Sequence, residues 1–117
     1  MVKTTKINGK IVIGLVEQVK INNKSKTHSC LARIDTGATK SSIDSNLAKD
    51  LELGPIVASK LVRSAHGKKR RPVIMVKIEL TGKNIEEEFT IADRSHMKYP
   101  VLIGQNILKD FIIDPSK

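Results

Sequence analysis

Apolar and polar positions alternate over most of this chain, in short runs separated by turn-forming residues. The clearest run is Ile74, Val76, Ile78 and Leu80 with Lys77 and Glu79 between them, the period-two pattern of a strand with one face inward. Thr81-Gly82-Lys83-Asn84 interrupts it, and Ile85, Phe89 and Ile91 continue on the far side of the predicted hairpin. Upstream, residues 10–21 form a long apolar stretch with Gly14 inside it, where a bend or bulge is expected. Asn22-Asn23-Lys24-Ser25 predicts a turn, and residues 27–34 the return strand. One stretch departs from period two. Ile43, Leu47 and Leu51 recur every four residues with Ala48 beside them, which predicts a short helix capped by Asp44 or Ser45 and ended by Gly54-Pro55. Beyond it, residues 56–64 read as a strand, 65–71 as a basic turn, and Pro72 as the start of the next run. The tail offers an aliphatic strand at 100–103, a segment at 104–108, and Phe111-Ile112-Ile113. Many short strands with a helix among them predict a closed or partly closed all-β domain over residues 1–117, with no linker or internal repeat.

Composition supports strands. Apolar residues make up 39%, dominated by Ile, Val and Leu, while two Phe and one Tyr are the only aromatics. Cys30 is the single cysteine, so no intrachain disulfide forms. No apolar core follows Met-Val-Lys-Thr-Thr-Lys, and no run approaches the ~18 apolar residues of a membrane helix. A soluble, cytoplasmic protein without a membrane partner is the expectation. The formal charge of +9 suits nucleic acid, an anionic membrane or an acidic protein. The scarcity of aromatic side chains removes the platforms on which bases stack, so nucleic acid is not the expected partner.

The sharpest chemical signal is Ile34-Asp35-Thr36-Gly37-Ala38-Thr39, where an apolar strand delivers one carboxylate into a tight loop. Gly37 lets the backbone turn closely, and Thr36 can hydrogen-bond locally or across an interface. Peptide hydrolysis by carboxylates needs two of them. Two carboxylates sharing a site cannot both ionise comfortably, so one keeps a proton and acts as acid while the other activates a water. The pair titrates as a unit, and its need for one proton favours mildly acid solution. This chain holds one Asp-Thr-Gly and is too short for two such lobes, so the second carboxylate must come from a second copy across a two-fold axis.

Asp35-Thr36-Gly37-Ala38 resembles the catalytic loop of retropepsins, the single-lobed aspartic proteases of retroviral type. Val101-Leu102-Ile103-Gly104-Gln105-Asn106-Ile107-Leu108 is similar to their second signature, an aliphatic strand, Gly, a polar pair and a short helix. A closer resemblance runs through Arg71-Pro72-Val73-Ile74, the stretch from Asp93 to Gly104, and Phe111-Ile112-Ile113-Asp114-Pro115-Ser116, to the retropepsin-like family labelled ATP-dependent zinc proteases. The resemblance implies a retropepsin-like single-lobe closed β barrel with one or two short helices, working as a homodimeric aspartic endopeptidase. It implies Asp35 as the catalytic residue, Thr36, Gly37 and Ala38 as its supporting loop, and Leu102, Ile103 and Gly104 packed upon that loop. The segment Ala65, His66, Gly67, Lys68 and Lys69 would be the flap over a peptide or protein substrate. A flap this basic would favour an acidic substrate, although Lys68-Lys69-Arg70-Arg71 also reads as a solvated hairpin tip.

The residues do not support the zinc or the ATP of that label. There is no His-Glu-x-x-His and no phosphate-binding Gly-rich loop, so no metal and no cofactor are expected. His28 and Cys30 share a strand face by period two, but two ligands do not make a structural zinc site. Among the other carboxylates, Asp44 suits a helix cap, and Asp93 a pair with Arg94 or another nearby base. Two departures from the retroviral pattern stand out: the flap is basic and poor in Gly, and Gln105 sits where Arg is usual. They keep open an alternative, a retropepsin-fold module that binds acidic tails or nucleic acid without turnover.

Overall fold

The computed structural model describes residues 4–65 and 67–117. Along the chain come β1 (Lys6–Ile7), β2 (Lys10–Ile13), β3 (Val16–Asn23), β4 (Lys26–Ile34), β5 (Ser41–Asp44), α1 (Ser45–Asp50), β6 (Ile56–Ser64), β7 (Gly67–Leu80), β8 (Lys83–Ala92), β9 (Val101–Ile103), α2 (Gln105–Leu108) and β10 (Phe111–Ile113). Strands β3, β4, β9, β5, β8 and β7 lie side by side in that order, and β3 then pairs back to β7. The result is a closed six-stranded barrel with two short helices, the all-β architecture expected. Closure on β7 covers the edge that β3 would otherwise present along Val19–Asn22.

The alternating residues supply the inside of the barrel. Val19 and Ile21 from β3, Ala32 and Ile34 from β4, and Ile74, Val76, Ile78 and Leu80 from β7 are all buried, together with Phe89, Val101 and Ile103. A barrel of this size is filled by its side chains, and each large one withdrawn from water contributes about 1.5–3 kcal/mol before entropy is counted. Gly14 marks where the chain leaves one sheet for another: β2 lies with β1 and β10, while β3 enters the barrel. A Cβ on Gly14 would stand 2.7 Å from the carbonyl oxygen of Lys117, so the crossing needs glycine.

Two local expectations change. The four-residue recurrence that starts at Ile43 is helical only from Ser45 onward; Ile43 lies fully buried in β5, between β8 and β9. A β-branched residue facing the core fits a strand as well as a helix, and pairing on both sides decided it. Asp44 does cap α1, accepting from the amides of Asn46 at 3.2 Å and Leu47 at 3.4 Å. The basic segment 65–71 is mostly strand rather than turn. Gly67 already pairs with Ser64, and Lys68 to Arg71 run along β6 as the first part of β7. Pro72 lies within β7, one residue before its pairing with β8 begins at Val73, so its missing N–H removes no bond to β8.

Candidate active site

β4 delivers Asp35, and the loop 35–40 returns the chain to β5. Between those two strands lies β9, parallel to β4 and antiparallel to β5. The loop therefore arches over the end of β9, and the backbone beyond that strand binds it. The Asp35 amide donates to the Ile103 carbonyl at 2.9 Å, and the Gln105 amide donates to the Ala38 carbonyl at 2.7 Å. Gln105 also donates its side-chain Nε2 to the Thr36 carbonyl at 2.7 Å. Where an Arg is usual, this residue clamps the loop.

Gly104 is the close-approach point. A Cβ there would stand 2.8 Å from the Ala38 carbonyl oxygen, and it would also collide with the Lys40 carbonyl. Its amide donates to Ser41 Oγ at 3.0 Å, and Ser41 Oγ donates to Asn106 Oδ1 at 2.9 Å. Asn106 Nδ2 in turn donates to the Glu88 carbonyl at 2.9 Å. Ser41 is fully buried, so this chain of bonds satisfies polar groups that water does not reach. Leu102, Ile103 and Gly104 thus lie beneath the loop. Within it, Asp35 Oδ1 accepts from the Gly37 amide at 2.9 Å, and Asp35 is half-buried while Thr36 and Gly37 are exposed. A Cβ on Gly37 would sit 3.3 Å from that carboxylate oxygen.

Beside the loop is a cleft of about 400 Å³, walled by loop residues 37–40, the β6 arm and the outer face of the barrel. Five cations line it: Lys40, Lys60, Arg63, Arg71 and Arg94. Lys40 pairs with Glu88 at 2.6 Å, and Lys60 reaches across the cleft to donate to Thr39 Oγ1 at 3.1 Å. Among the described residues no carboxylate lies within ion-pair distance of Arg63, Arg71 or Arg94. The backbone of Arg94 is pinned by its amide donating to Asp44 Oδ1 at 2.8 Å, and its Nε donates to the Tyr99 carbonyl at 3.1 Å. Burial pulls the Arg94 pKa down and neighbouring Arg71 adds to this, against the opposing pull of Asp44 and Asp35. Asp44 therefore holds α1 and Arg94 together.

The expected flap is the β6–β7 hairpin. Ala65 sits at its tip, Gly67, Lys68 and Lys69 begin β7, and His66 lies outside the described residues. Lys68 and Lys69 are exposed and do not line the cleft. The cations that do come instead from the Asp35 loop, the β6 arm, the base of the hairpin and the segment after β8. Arg71 and Arg94 stand in stretches already singled out for their resemblance, but nothing in the local pattern separates Lys60 and Arg63 from other surface bases. Asp93 bonds to the Ser95 amide and hydroxyl, at 3.0 and 2.6 Å, rather than to Arg94. Among the described residues no three His, Cys, Asp or Glu side chains cluster where they could hold a metal ion.

Residues 44–117 match the RimB-like family, described as the retropepsin-like aspartic endopeptidase RimB. The chain belongs to the RimB-like family. The match takes in Arg94, β9, α2 and β10, and it begins after the Asp35 loop. Solved structures extend the likeness over the loop as well. A Legionella pneumophila protein of unknown function superposes with a TM-score of 0.65 at 21% identity, covering 91% of this RimB-like chain and 94% of its own. The protease of simian foamy virus gives 0.61 at 18% identity, covering 80% and 91% respectively. The EIAV protease, solved with the inhibitor HBY-793, gives 0.66 at 22% identity, covering 81% and 85%. At these identities the likeness is one of fold. No curated protein matches the chain. Among the described residues no helix is long and apolar enough to cross a membrane.

Proposed function

We propose that this RimB-like protein is a homodimeric aspartic endopeptidase in which Asp35 of each copy supplies half of the catalytic pair. The observation that carries this is the presentation of Asp35. A loop bonded to β9 and α2 holds it at its backbone, one carboxylate oxygen is fixed by the Gly37 amide, and the carboxylate is not enclosed by its own chain. One such carboxylate per chain makes half a site. In the dimer, the ionised Asp35 takes a proton from a water between the pair as that water's oxygen attacks the peptide carbonyl carbon. The protonated Asp35 gives its proton first toward the carbonyl oxygen. As the resulting diol collapses, the Asp35 that took the water's proton passes it to the leaving nitrogen and the other Asp35 takes the proton of one diol hydroxyl, so the amine and the carboxylic acid leave and the pair again holds one proton. No covalent enzyme intermediate forms and no cofactor is required.

The free edge of β10 is a place for the two-fold contact. It is the outer strand of the order β1-β2-β10, and α2 joins it to the clamp on Thr36. The substrate this site favours is acidic. Three guanidinium groups with no carboxylate within ion-pair distance among the described residues raise the local concentration of anionic chains and leave neutral ones unaided. The same cleft supports the second reading, a module that holds acidic tails without cutting them.

Incubation with a mixed peptide pool that includes glutamate-rich members, with Asp35→Asn in parallel, separates these readings. Cleavage by the wild type alone supports the peptidase. Binding of acidic peptides by a folded dimer that cuts nothing supports the module instead.

A further inference from the structure

Positive charge on this chain is concentrated in one arm. The stretch from Lys60 to Arg71 holds six of the 21 Lys and Arg residues and none of the 12 Asp and Glu, so it supplies six of the nine net positive charges. All five ion pairs among the described residues use cations outside it, such as Lys20 with Glu79 and Lys40 with Glu88. Register divides the arm's cations between two faces, because cross-strand partners project from the same one. Lys60 and Arg71 are partners and line the cleft, whereas Lys68 and Arg70 oppose Arg63 and Leu61 and stand on the other face. Lys68, Lys69 and Arg70 are exposed, and none of them lines the cleft. Lys68 and Arg70 are two residues apart on one strand, which puts them about 7 Å from each other along it. Among the described residues, the side-chain bond that engages any of the three is a 3.3 Å contact from Arg70 Nη1 to Ser59 Oγ. Peptide binding in the cleft does not account for these three cations. Beyond Ser59 the arm exposes one large hydrophobe, Leu61, among the described residues. A protein partner or a bilayer is held by aromatic or apolar anchors that this face lacks. Scarce aromatics also argue against single strands with stacked bases. A duplex asks for neither, since Lys and Arg alone reach its phosphates and its major groove in the B form admits a two-stranded ribbon.

We propose that Lys68, Lys69 and Arg70 form a docking surface for the phosphate backbone of a nucleic-acid duplex. The contact is electrostatic and independent of sequence: each cation neutralises one phosphate and releases its condensed counterions. The three residues lie outside the cleft, so the inference stands apart from the peptidase reading. Docking on them leaves the Asp35 cleft open, and one chain can hold a duplex and a peptide at once.

The test is fluorescence anisotropy of a labelled DNA duplex and of an RNA duplex of the same sequence, each titrated with the full-length protein at several salt concentrations. Binding is expected at low salt, with log affinity falling against log salt at a slope of about −2.7 for three phosphates. The double substitution Lys68→Gln with Arg70→Gln should flatten that slope by about 1.8 and weaken low-salt binding at least about tenfold. Lys49→Gln with Lys77→Gln removes the same charge from exposed positions off the arm and should leave the slope unchanged. If the arm variant does not fold, Lys69→Gln alone decides, with an expected change of about 0.9. Preference for one of the two duplexes supports the proposal and names its form. No shift on either duplex at low salt would overturn it. So would a slope that the folded arm variant keeps, or one that the off-arm variant flattens as far. Co-sedimentation with phosphatidylserine vesicles completes the test: tighter binding there than to either duplex, lost with Lys68 and Arg70, would give the surface to a membrane and overturn the proposal. Cleavage of the peptide pool is read separately, and none of these outcomes bears on it.

Discussion

The amide of Asp35 donates to the carbonyl oxygen of Ile103 at 2.9 Å. That bond joins two motifs from distant parts of the sequence, and it orients the backbone from which the carboxylate projects. If the carboxylate is half of a catalytic pair, Asp35→Asn keeps this main-chain bond and loses the chemistry. Peptide cleavage is expected to fall by at least about 10³-fold with little change in melting temperature. Matched turnover assays and thermal scans check it; retained cleavage in the variant would move the catalytic carboxylate elsewhere.

Gly104 should tolerate no side chain. A Cβ would press on the Ala38 and Lys40 carbonyls, so Gly104→Ala must displace the loop or strain β9. The expected loss is about 1–3 kcal/mol, read as a lower urea midpoint. The loop bears the displacement, so any cleavage activity should fall with it. A variant as stable as the wild type would show that the close approach is not maintained in solution.

Asp44 is buried and accepts three backbone amides, two at the start of α1 and one from Arg94. Asp44→Ala removes a helix cap and strands the Arg94 amide, an expected cost of about 2–4 kcal/mol. Asp44→Asn keeps one acceptor oxygen and should cost less. Denaturant titration of the pair measures the difference.

Asp93 and Asp114 repeat one device, each accepting on Oδ1 from the amide and hydroxyl of a serine two residues on. Those bonds, the hydroxyl's first, lower both pKa values below the usual aspartate range. A carboxyl more acidic folded than unfolded contributes stability above its unfolded pKa, and loses it as pH falls through the folded value. Carbon-detected NMR titration should find the Asp93 carboxyl moving up toward the ordinary range in Ser95→Ala. No movement would remove the hydroxyl as the cause.

Cys30 packs against the core on the inner side of β4, and burial pushes its thiol pKa up. Only the thiolate reacts, so alkylation of native protein should be slower than that of a free thiol at the same pH. The sign for stability is the reverse of the aspartates'. The contribution is fully present below the unfolded pKa of about 8.5, and it disappears as pH rises through the folded value. Rapid alkylation of folded protein at neutral pH would contradict this placement.

Most of the strands were legible because alternation is a local property. Ile74 to Leu80 face inward at every second position whatever lies opposite them, since each apolar side chain gains by leaving water. The Asp35 loop was legible for a related reason: an apolar strand ending at a carboxylate and a glycine has few ways to turn. Ile43 is not legible as a strand residue because four residues of β5 cannot display a period, and the apolar repeat continues from them into α1. The basic run 68–71 looks like a turn in the sequence because charge suggests solvent, and an exposed hairpin arm is as solvated as a loop.

By itself the sequence determined most of the strands and their inward faces, a cap at Asp44 or Ser45, and the one carboxylate in a tight loop. Only the tertiary structure decided that β9 enters between β4 and β5, that β3 closes on β7, and that Gln105 reaches Thr36. It alone brought Lys60, Arg63, Arg71 and Arg94 around one cleft with the unpaired hydroxyl of Ser42. The physical reason is range. The preference of a side chain for core or water is set by its own chemistry and its nearest neighbours. Which strand edges meet, and which charges they carry into one cavity, depends on contacts between segments far apart in the chain, and these exist only once the barrel has closed.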